Sequence, residues 1–389
     1  MNKSRPYYIA AGEWMQTSMG YRAPFLLCNT LNELGYEAYV TAQKQAPALQ
    51  TPLLTPEIMA KHKVNGREII AVYNEGVWGN ILQGDVVVRW IMNRLGKLVD
   101  TLPASNDIFF YWDKAYTEHP ESSQILRLPA VDTSIFNQDG VDCNQRKSYA
   151  YYAHKYLRDG KGVITDQVKS GGISLCQDIP RTQQEIADIL RSVKVLYIYE
   201  ETALAEEAAF CGCTVVWVIN SYNQELYGDI YPYDYAVFED ELDIATQWSY
   251  SRKMLAVTLG KIKTSESQIV DFISKTQNAP VYPFENDEFL TFAKNYKKIF
   301  LYGSGITSTM VYNMLRTVDA RISGFITSDE YFSRDDNMRY GLPIISASQL
   351  IKENREDCGV VLAMMRVNAM QVAEDIERMK IACYCPVLL

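Results

Sequence analysis

Short apolar runs alternate with amphipathic segments along almost the whole chain, and this alternation restricts the folds open to it. The pattern starts with a predicted strand, RPYYIAA (residues 5–11), and a predicted helix, MGYRAPFLLCNTLNEL (19–34), which Gly35 ends. The next strand is predicted at YEAYVT (36–41). A strand–helix–strand order at this spacing is typical of parallel sheets covered by helices on both faces.

The length of the chain, 389 residues, exceeds the roughly 250 to 300 residues at which a single core stops growing. We therefore predict three α/β units: a first Rossmann-like domain at 1–130, a second at 131–285 with a helical tail, and a small third one at 290–389. Segments with proline separate them, LRLPAVDTSIFN (126–137) and QNAPVYPFEND (277–287).

Further elements follow from the same patterns. In the first domain we predict strands at EIIAVY (68–73) and DIFFYWD (107–113), and between them an amphipathic helix at VVVRWIMNRLG (86–96). In the second domain KSYAYYAHKYLRDG (147–160) is predicted as a helix and GVITD (162–166) as a strand.

A second predicted helix in that domain, TQQEIADILRSV, has Thr182 as its N-cap and Glu185 in position to close a capping box.

The segment YEETALAEEAAFCGC (199–213) places four carboxylates around a short predicted helix that Gly212 ends. Helical spacing assigns Glu207 to the apolar stripe and turns Glu206 toward water. A carboxylate on a buried stripe is costly unless it is paired or serves a ligand. Glu207 is thus either a salt-bridged structural residue or part of a binding pocket at the carboxyl ends of the strands.

The longer pattern RTQQEIADILRSVKVLYIYEETALAEEAAFCGCTVVWV (181–218) resembles the donor-binding half of GT-B glycosyltransferases of the retaining, family-4-like type. SMGYRAPFLLCNTLNELGYEAYV (18–40) is similar to the first helix of that family and the loop before it. NILQGDVVVRWIMNRLG and the LPAVDTSIF linker resemble members that act in bacterial surface polysaccharide, O-antigen and capsule biosynthesis.

The resemblance implies a GT-B fold of two Rossmann-like lobes, here with a third, C-terminal Rossmann-like accessory domain. The first lobe would bind the acceptor, with Ser18 and Gly20 near the substrate. The second would bind a UDP- or GDP-sugar, with Glu207 on the ribose. The companion glutamate of the family falls on Tyr199, so Glu200 or Glu201 would take the catalytic role beside Thr202.

Cations are needed for the leaving diphosphate, and RKSYAYYAHKYLRDGK (146–161) carries five basic residues and one acid in an acidic protein. We expect Arg146 and Lys155 to bind the phosphates, Arg146 as a bidentate fork and Lys155 as a point charge. The resemblance implies that neither a metal nor another cofactor is required, and that the acceptor is a saccharide or a lipid-linked saccharide. An ordinary solvated basic helix is the alternative.

The third domain contains YGSGITS, a glycine turn of the dinucleotide-binding type. Gly303 and Gly305 would approach a dinucleotide, and Asp329 stands where a ribose-binding acid is expected. Two alternatives to the transferase stay open. One is an NAD-dependent oxidoreductase or epimerase acting on nucleotide sugars, and the other is a non-catalytic scaffold that binds sugar nucleotides.

Charge and composition exclude several classes. A net charge of −9 argues against nucleic-acid binding, and no apolar run approaches the length of a membrane span. The eight cysteines lack the spacing of a metal site and the context of a disulfide framework. We expect a cytoplasmic protein, with peripheral contact to the inner face of a membrane and homo-oligomerisation left open.

Overall fold

The computed structural model describes residues 4–77, 79–93, 106–158, 162–164, 170–227, 237–238, 247–282, 288–303, 305–353, 356–364 and 366–384. Within these ranges the chain forms three sheets, one in each predicted domain range. Parts of five predicted segments lie outside the described residues: 94–96, 159–161, 165–166, 283–287 and Ser304.

The first unit has a parallel sheet with the strand order β2-β1-β3-β4-β5. Its elements are β1 (Tyr7–Ile9), α1 (Met19–Glu33), β2 (Ala38–Val40), α2 (Pro56–Val64), β3 (Ile70–Asn74), β4 (Val86–Ile91) and β5 (Ile108–Tyr111).

The second unit has a parallel sheet in the order β10-β9-β8-β6-β7. Its elements are β6 (Tyr149–Tyr152), α3 (His154–Arg158), β7 (Gly172–Ser174), α4 (Gln183–Ser192), β8 (Val195–Ile198), α5 (Leu204–Phe210), β9 (Thr214–Trp217), α6 (Ser221–Tyr227), β10 (Val237–Phe238) and α7 (Gln247–Gln277).

The third unit has the order β13-β14-β12-β11-β15-β16, and its pairings are parallel except for β13 with β14. Its elements are α8 (Glu288–Asn295), β11 (Lys298–Tyr302), α9 (Ile306–Thr317), β12 (Ile322–Thr327), β13 (Met338–Arg339), β14 (Leu342–Ser346), α10 (Ala347–Leu350), β15 (Cys358–Leu362), α11 (Arg366–Arg378) and β16 (Ala382–Tyr384). The predicted α/β class with Rossmann-like units is confirmed.

Local signals in the sequence explain several element ends. Thr182 Oγ1 accepts from the Glu185 amide at 3.2 Å, and Glu185 Oε2 accepts from the Thr182 amide at 2.7 Å, so the predicted capping box is present. Gly35 and Gly212 follow α1 and α5 with φ of 83° and 71°, a left-handed conformation that ends a helix with little strain in glycine.

The predicted helix at 86–96 is wrong in its described part, because Val86–Ile91 forms strand β4. Val88 and Trp90 enter the core that contains Phe110, while Arg89 points to the other face and donates to Asp107 at 2.7 Å. A run rich in β-branched residues is typical of a parallel strand that is buried on both faces, as β4 is.

The predicted helix at 147–160 is also wrong, because strand β6 precedes the short helix α3. Ala150 and Tyr152 are buried, whereas Tyr149 and Tyr151 are half-buried, which is the two-residue period of a strand. The predicted strand at 162–166 is absent from its described residues, 162–164, and the sheet instead gains Gly172–Ser174.

Helix α7 connects the second unit to the first. Met254 packs in the core of the second sheet, and Phe272 and Ile273 pack in the core of the first. Tyr7 in β1 stacks on Phe272 with a centroid distance of 5.8 Å, and its hydroxyl bonds to Thr276 at 2.8 Å. The helix therefore covers one face of the first sheet.

The opposite face of the first sheet is covered in part by the third unit. Tyr8, Ala71 and Tyr73 of the first sheet belong to one continuous apolar cluster with Met314 and Leu315 of α9. A parallel sheet needs cover on both faces. The third unit thus completes the core of the first and is not a separate appendage.

This shared core predicts that damage in the third unit destabilises the first. Leu315→Ala removes a fully buried side chain and should lower the free energy of unfolding by about 2–5 kcal/mol. All six tryptophans precede residue 250, so tryptophan fluorescence during urea unfolding reports the first two units alone. Leu259→Ala, at a leucine that is 48% exposed, is the control. An unchanged fluorescence midpoint in Leu315→Ala would contradict the shared core.

Candidate functional site

The carboxyl edges of the first and second sheets face each other. Helix α1 follows β1, and helix α5 follows β8, so the first turns of both helices lie at carboxyl edges. Arg22 in α1 and Glu207 in α5 form an ion pair with 3.0 Å between Nη2 and Oε1. Nearby, Gln16 Nε2 donates to Gln183 Oε1 at 2.7 Å. In open α/β sheets, ligands collect at this edge.

The Arg22–Glu207 pair is almost fully buried, with 4% and 6% of the two side chains exposed. Arg22 also donates through Nη1 to the carbonyl of Ala130 at 3.2 Å, in the segment that joins the two units. Burial raises the pKa of the Glu207 carboxyl, and the adjacent guanidinium opposes that shift. Glu207 is thus salt-bridged to Arg22 in this structure.

Glu206 does not face water as predicted. It is buried and forms an ion pair with Arg127, which also pairs with Asp113 at 2.5 Å. Lys261 of α7 lies 3.3 Å from the same Asp113 carboxylate. The prediction failed because helical spacing within α5 describes the faces of that helix, while Arg127 comes from the linker between the units.

At the carboxyl edge of the second sheet the structure brings together Lys155, Glu200 and Thr202. Glu200 is buried, and its Oε2 accepts a hydrogen bond from the backbone amide of Tyr156, next to Lys155. Burial, followed by the negative charge of Glu200, raises the pKa of Tyr152, which also hydrogen-bonds Thr202.

The two candidate catalytic carboxylates differ in access. Glu200 is held by the first turn of α3, whereas Glu201 is half-buried. Thr202 Oγ1 accepts from the amide of Leu204 at 3.3 Å and thereby supports the start of α5. Tyr199, at the place of the family's companion glutamate, stacks on Tyr156 with a centroid distance of 5.3 Å.

Arg146 does not join Lys155, contrary to prediction. It precedes β6 and lies at the amino edge, whereas Lys155 follows β6, and the four residues between the edges span roughly 13 Å at 3.3 Å per residue. Arg146 is buried and donates through Nη1 to the carbonyls of Leu190 and Val193 at 3.2 and 3.1 Å. Its Nη2 donates to the Cys211 carbonyl. These bonds hold the ends of α4 and α5.

On the first unit, Ser18 and Gly20 lie at the beginning of α1. Ser18 is the N-cap of this helix, but its side chain makes no capping bond. A Cβ placed on Gly20 would meet no atom within 4 Å, and the residue is exposed. The start of α1 therefore has space in front of it at the edge that faces the second unit.

In the third unit, Gly303 has φ of 115°, and a Cβ there would lie 2.8 Å from the Ala363 carbonyl. Packing and backbone conformation inside this unit therefore require glycine at position 303. Gly305 is the N-cap of α9. Asp329 is exposed, and its carboxylate accepts hydrogen bonds from the Ser348 amide at 3.1 Å and from the Ser348 hydroxyl at 2.5 Å. These hydrogen bonds from Ser348 lower the pKa of Asp329.

Arg22 and Arg127 are the site residues that the sequence did not reveal. An arginine inside the apolar run YRAPFLL, and another inside LRLPAV, were signals for buried pairing, because an isolated buried charge is costly. Within the described ranges no group of three or more potential metal ligands occurs. The cysteines described there, at 28, 176, 211, 213, 358 and 383, are free thiols.

Among the helices that can be described, none is long and apolar enough to span a membrane. No protein-family model matches the chain, and no curated protein matches it.

Solved structures that are similar to the chain include two kinds of glycosyltransferase. The spinosyn rhamnosyltransferase SpnG is 12% identical, with a TM-score of 0.32, and the match covers 71% of this chain and 97% of that one. An α-glucosyltransferase in complex with UDP and a 13-mer DNA containing a HMU base is 10% identical, with a TM-score of 0.36 and coverage of 71% and 96%.

The buried pair between the units gives a testable expectation. Glu207→Gln leaves the Arg22 guanidinium buried without its counter-charge, so stability should fall by about 3–5 kcal/mol. The double variant Arg22→Met/Glu207→Leu replaces the pair by apolar side chains and should recover much of that loss. Urea unfolding followed by fluorescence measures both.

Asp271→Asn is the matched control for that experiment. It breaks an ion pair with Lys275 whose two side chains are 48% and 44% exposed, and should cost about 0.5 kcal/mol or less. If Glu207→Gln is no more harmful than Asp271→Asn, the pair does not hold the units together.

Proposed function

We propose that the protein is a GT-B glycosyltransferase that moves a sugar from a UDP- or GDP-sugar to a saccharide acceptor in bacterial surface polysaccharide synthesis. The observation that supports it best is the contact between two carboxyl edges, made by Arg22 with Glu207 and by Gln16 with Gln183. Two Rossmann-like sheets that face each other in this way enclose a cleft suited to a donor on one side and an acceptor on the other. The resemblance of residues 181–218 to donor-binding lobes agrees with this orientation.

In the proposed site the second unit binds the donor. Lys155 lies at the carboxyl edge and provides a cation for the leaving diphosphate. Glu200 accepts from the Tyr156 amide and so fixes the first turn of α3, which positions Lys155. Glu201 is the more accessible of the two adjacent carboxylates and is assigned the contact with the donor sugar.

The role of Glu207 changes in this proposal. Its carboxylate is occupied by Arg22, so a nucleotide ribose reaches it only after the two units separate slightly. Arg146 supports the donor lobe from the opposite edge and makes no contact with the phosphates. The acceptor hydroxyl attacks from the face that the diphosphate leaves, as the resemblance implies, without a metal ion.

Replacing Lys155 tests the donor side. Lys155→Gln should weaken binding of UDP or GDP by about tenfold to a hundredfold, because a charge-assisted bond to a phosphate contributes about 1.5–3 kcal/mol. Isothermal titration calorimetry measures the affinity, and Lys63→Gln, at an exposed lysine of α2, is the control. Binding of NAD in place of both nucleotides would refute the transferase and favour the oxidoreductase. No binding of any nucleotide would favour the scaffold.

Gly20 provides a test of the acceptor side. Gly20→Ala meets no atom of the protein and places alanine in the first turn of α1, so the melting temperature should stay equal or rise. If substrate approaches this backbone, turnover of UDP-glucose or GDP-mannose falls although the protein is no less stable. Equal turnover in parent and variant would place the substrate elsewhere.

A further inference from the structure

A buried asparagine of the third unit is bonded to loops of the first. Asn313 of α9 is fully buried, and its Nδ2 donates to the Ala11 carbonyl at 3.3 Å and to Glu13 Oε1 at 3.2 Å. Its Oδ1 accepts from Gln43 Nε2 at 3.2 Å. The Gln43 amide donates to the same Glu13 oxygen at 3.2 Å. A buried polar group satisfied in this way specifies one arrangement of its neighbours.

These contacts lie at the carboxyl edge of the first sheet. Ala11 and Glu13 belong to residues 10–18, the segment between β1 and α1, which we term the β1 loop, and Gln43 follows β2. Asn74 at the end of β3 donates to the sulfur of Met310 in α9 at 3.6 Å. One helix of the third unit thus contacts the ends of three neighbouring strands of the first.

The β1 loop has further support from both units. Thr41 Oγ1 accepts from the Ala11 amide at 2.9 Å and donates to the Ala11 carbonyl at 3.0 Å. The ring of Tyr21 packs on Gly12, where a Cβ would lie 3.0 Å from Tyr21 Cε1. Burial raises the pKa of Tyr21, and the nearby positive charge of Arg339 in the third unit opposes that rise.

We infer that the third unit shapes the acceptor side of the cleft, with Asn313 as a positioning residue for the β1 loop. The inference builds on the proposed function, because the loop leads directly to Ser18 and Gly20 at the start of α1 and carries Gln16, which reaches the second unit. Asn313 touches no substrate in this arrangement. It sets the path of a loop that must lie correctly before an acceptor can bind, and small displacements of such groups have large effects on rate.

Exchanging the hydrogen-bond donor and acceptor between Asn313 and Glu13 tests the inference. Asn313→Asp removes the donor and places a carboxylate against Glu13, so backbone amides of residues 10–18 should exchange with deuterium about tenfold faster or more, since 1.4 kcal/mol corresponds to tenfold. Asn313→Asp/Glu13→Gln restores one donor and one acceptor at the contact and should return exchange toward the parent rate. Hydrogen exchange followed by mass spectrometry measures this on the full chain.

Kinetic measurements and a matched variant distinguish a positioning role of Asn313 from a general loss of stability. Met314→Ala makes a cavity at a fully buried neighbour on α9 without removing these hydrogen bonds, and should lower stability while the β1 loop exchanges nearly as in the parent. With UDP-glucose or GDP-mannose as substrate, Asn313→Asp should lower kcat/KM by about tenfold to a hundredfold. Its affinity for UDP or GDP, which the second unit binds, should stay the same.

The outcomes distinguish the two hypotheses. Unchanged exchange of the β1 loop in Asn313→Asp, or a double variant that behaves no better than the single one, overturns the positioning role. The same holds if Met314→Ala loosens the loop as much as Asn313→Asp does. Absence of UDP and GDP binding in the parent protein overturns the proposed function but leaves the exchange result to decide the role of Asn313.

Discussion

The buried ion pair between Arg22 and Glu207 is the constraint on which the relation of the first two units depends. Two charges removed from water lose several kcal/mol of hydration each, which only close contact and further hydrogen bonds offset. Arg22 meets this condition by bonding Glu207 and the Ala130 carbonyl together. The second ion-pair group, Asp113, Arg127, Glu206 and Lys261, repeats the arrangement beside it. The adjacent residues Glu206 and Glu207 of α5 thus form ion pairs with the linker and with the first unit, respectively.

The second unit shows how one element assignment changes a site. The prediction from sequence gives residues 147–160 as one helix and assigns Arg146 and Lys155 to the same phosphates. As a strand followed by a short helix, the same residues place the arginine at one edge of the sheet and the lysine at the other. The proposed phosphate site therefore contains Lys155 without Arg146, and Arg146 supports the ends of two helices.

The sequence predicted well what local patterns control. The alternation of strands and helices, the capping box of Thr182 and Glu185, and the stop at Gly212 all depend on residues a few positions apart. It failed where the partner is distant in sequence. Arg22 is 185 positions from Glu207, and no spacing rule connects them. The strands at 86–91 and 149–152 were missed because short apolar runs fit both periods, and the neighbouring strands that decide between them are supplied by the fold.

The cover that α9 provides for the first sheet also affects the order in which the protein is made. Asn313 meets Ala11 across 302 positions, so this contact is among the most distant in the chain. Domains usually fold from the N-terminus while synthesis continues. Here the first sheet leaves the ribosome early but retains an uncovered apolar face until α9 has followed. The nascent N-terminal region thus reaches its full packing only after residue 317, the end of α9, has been synthesised.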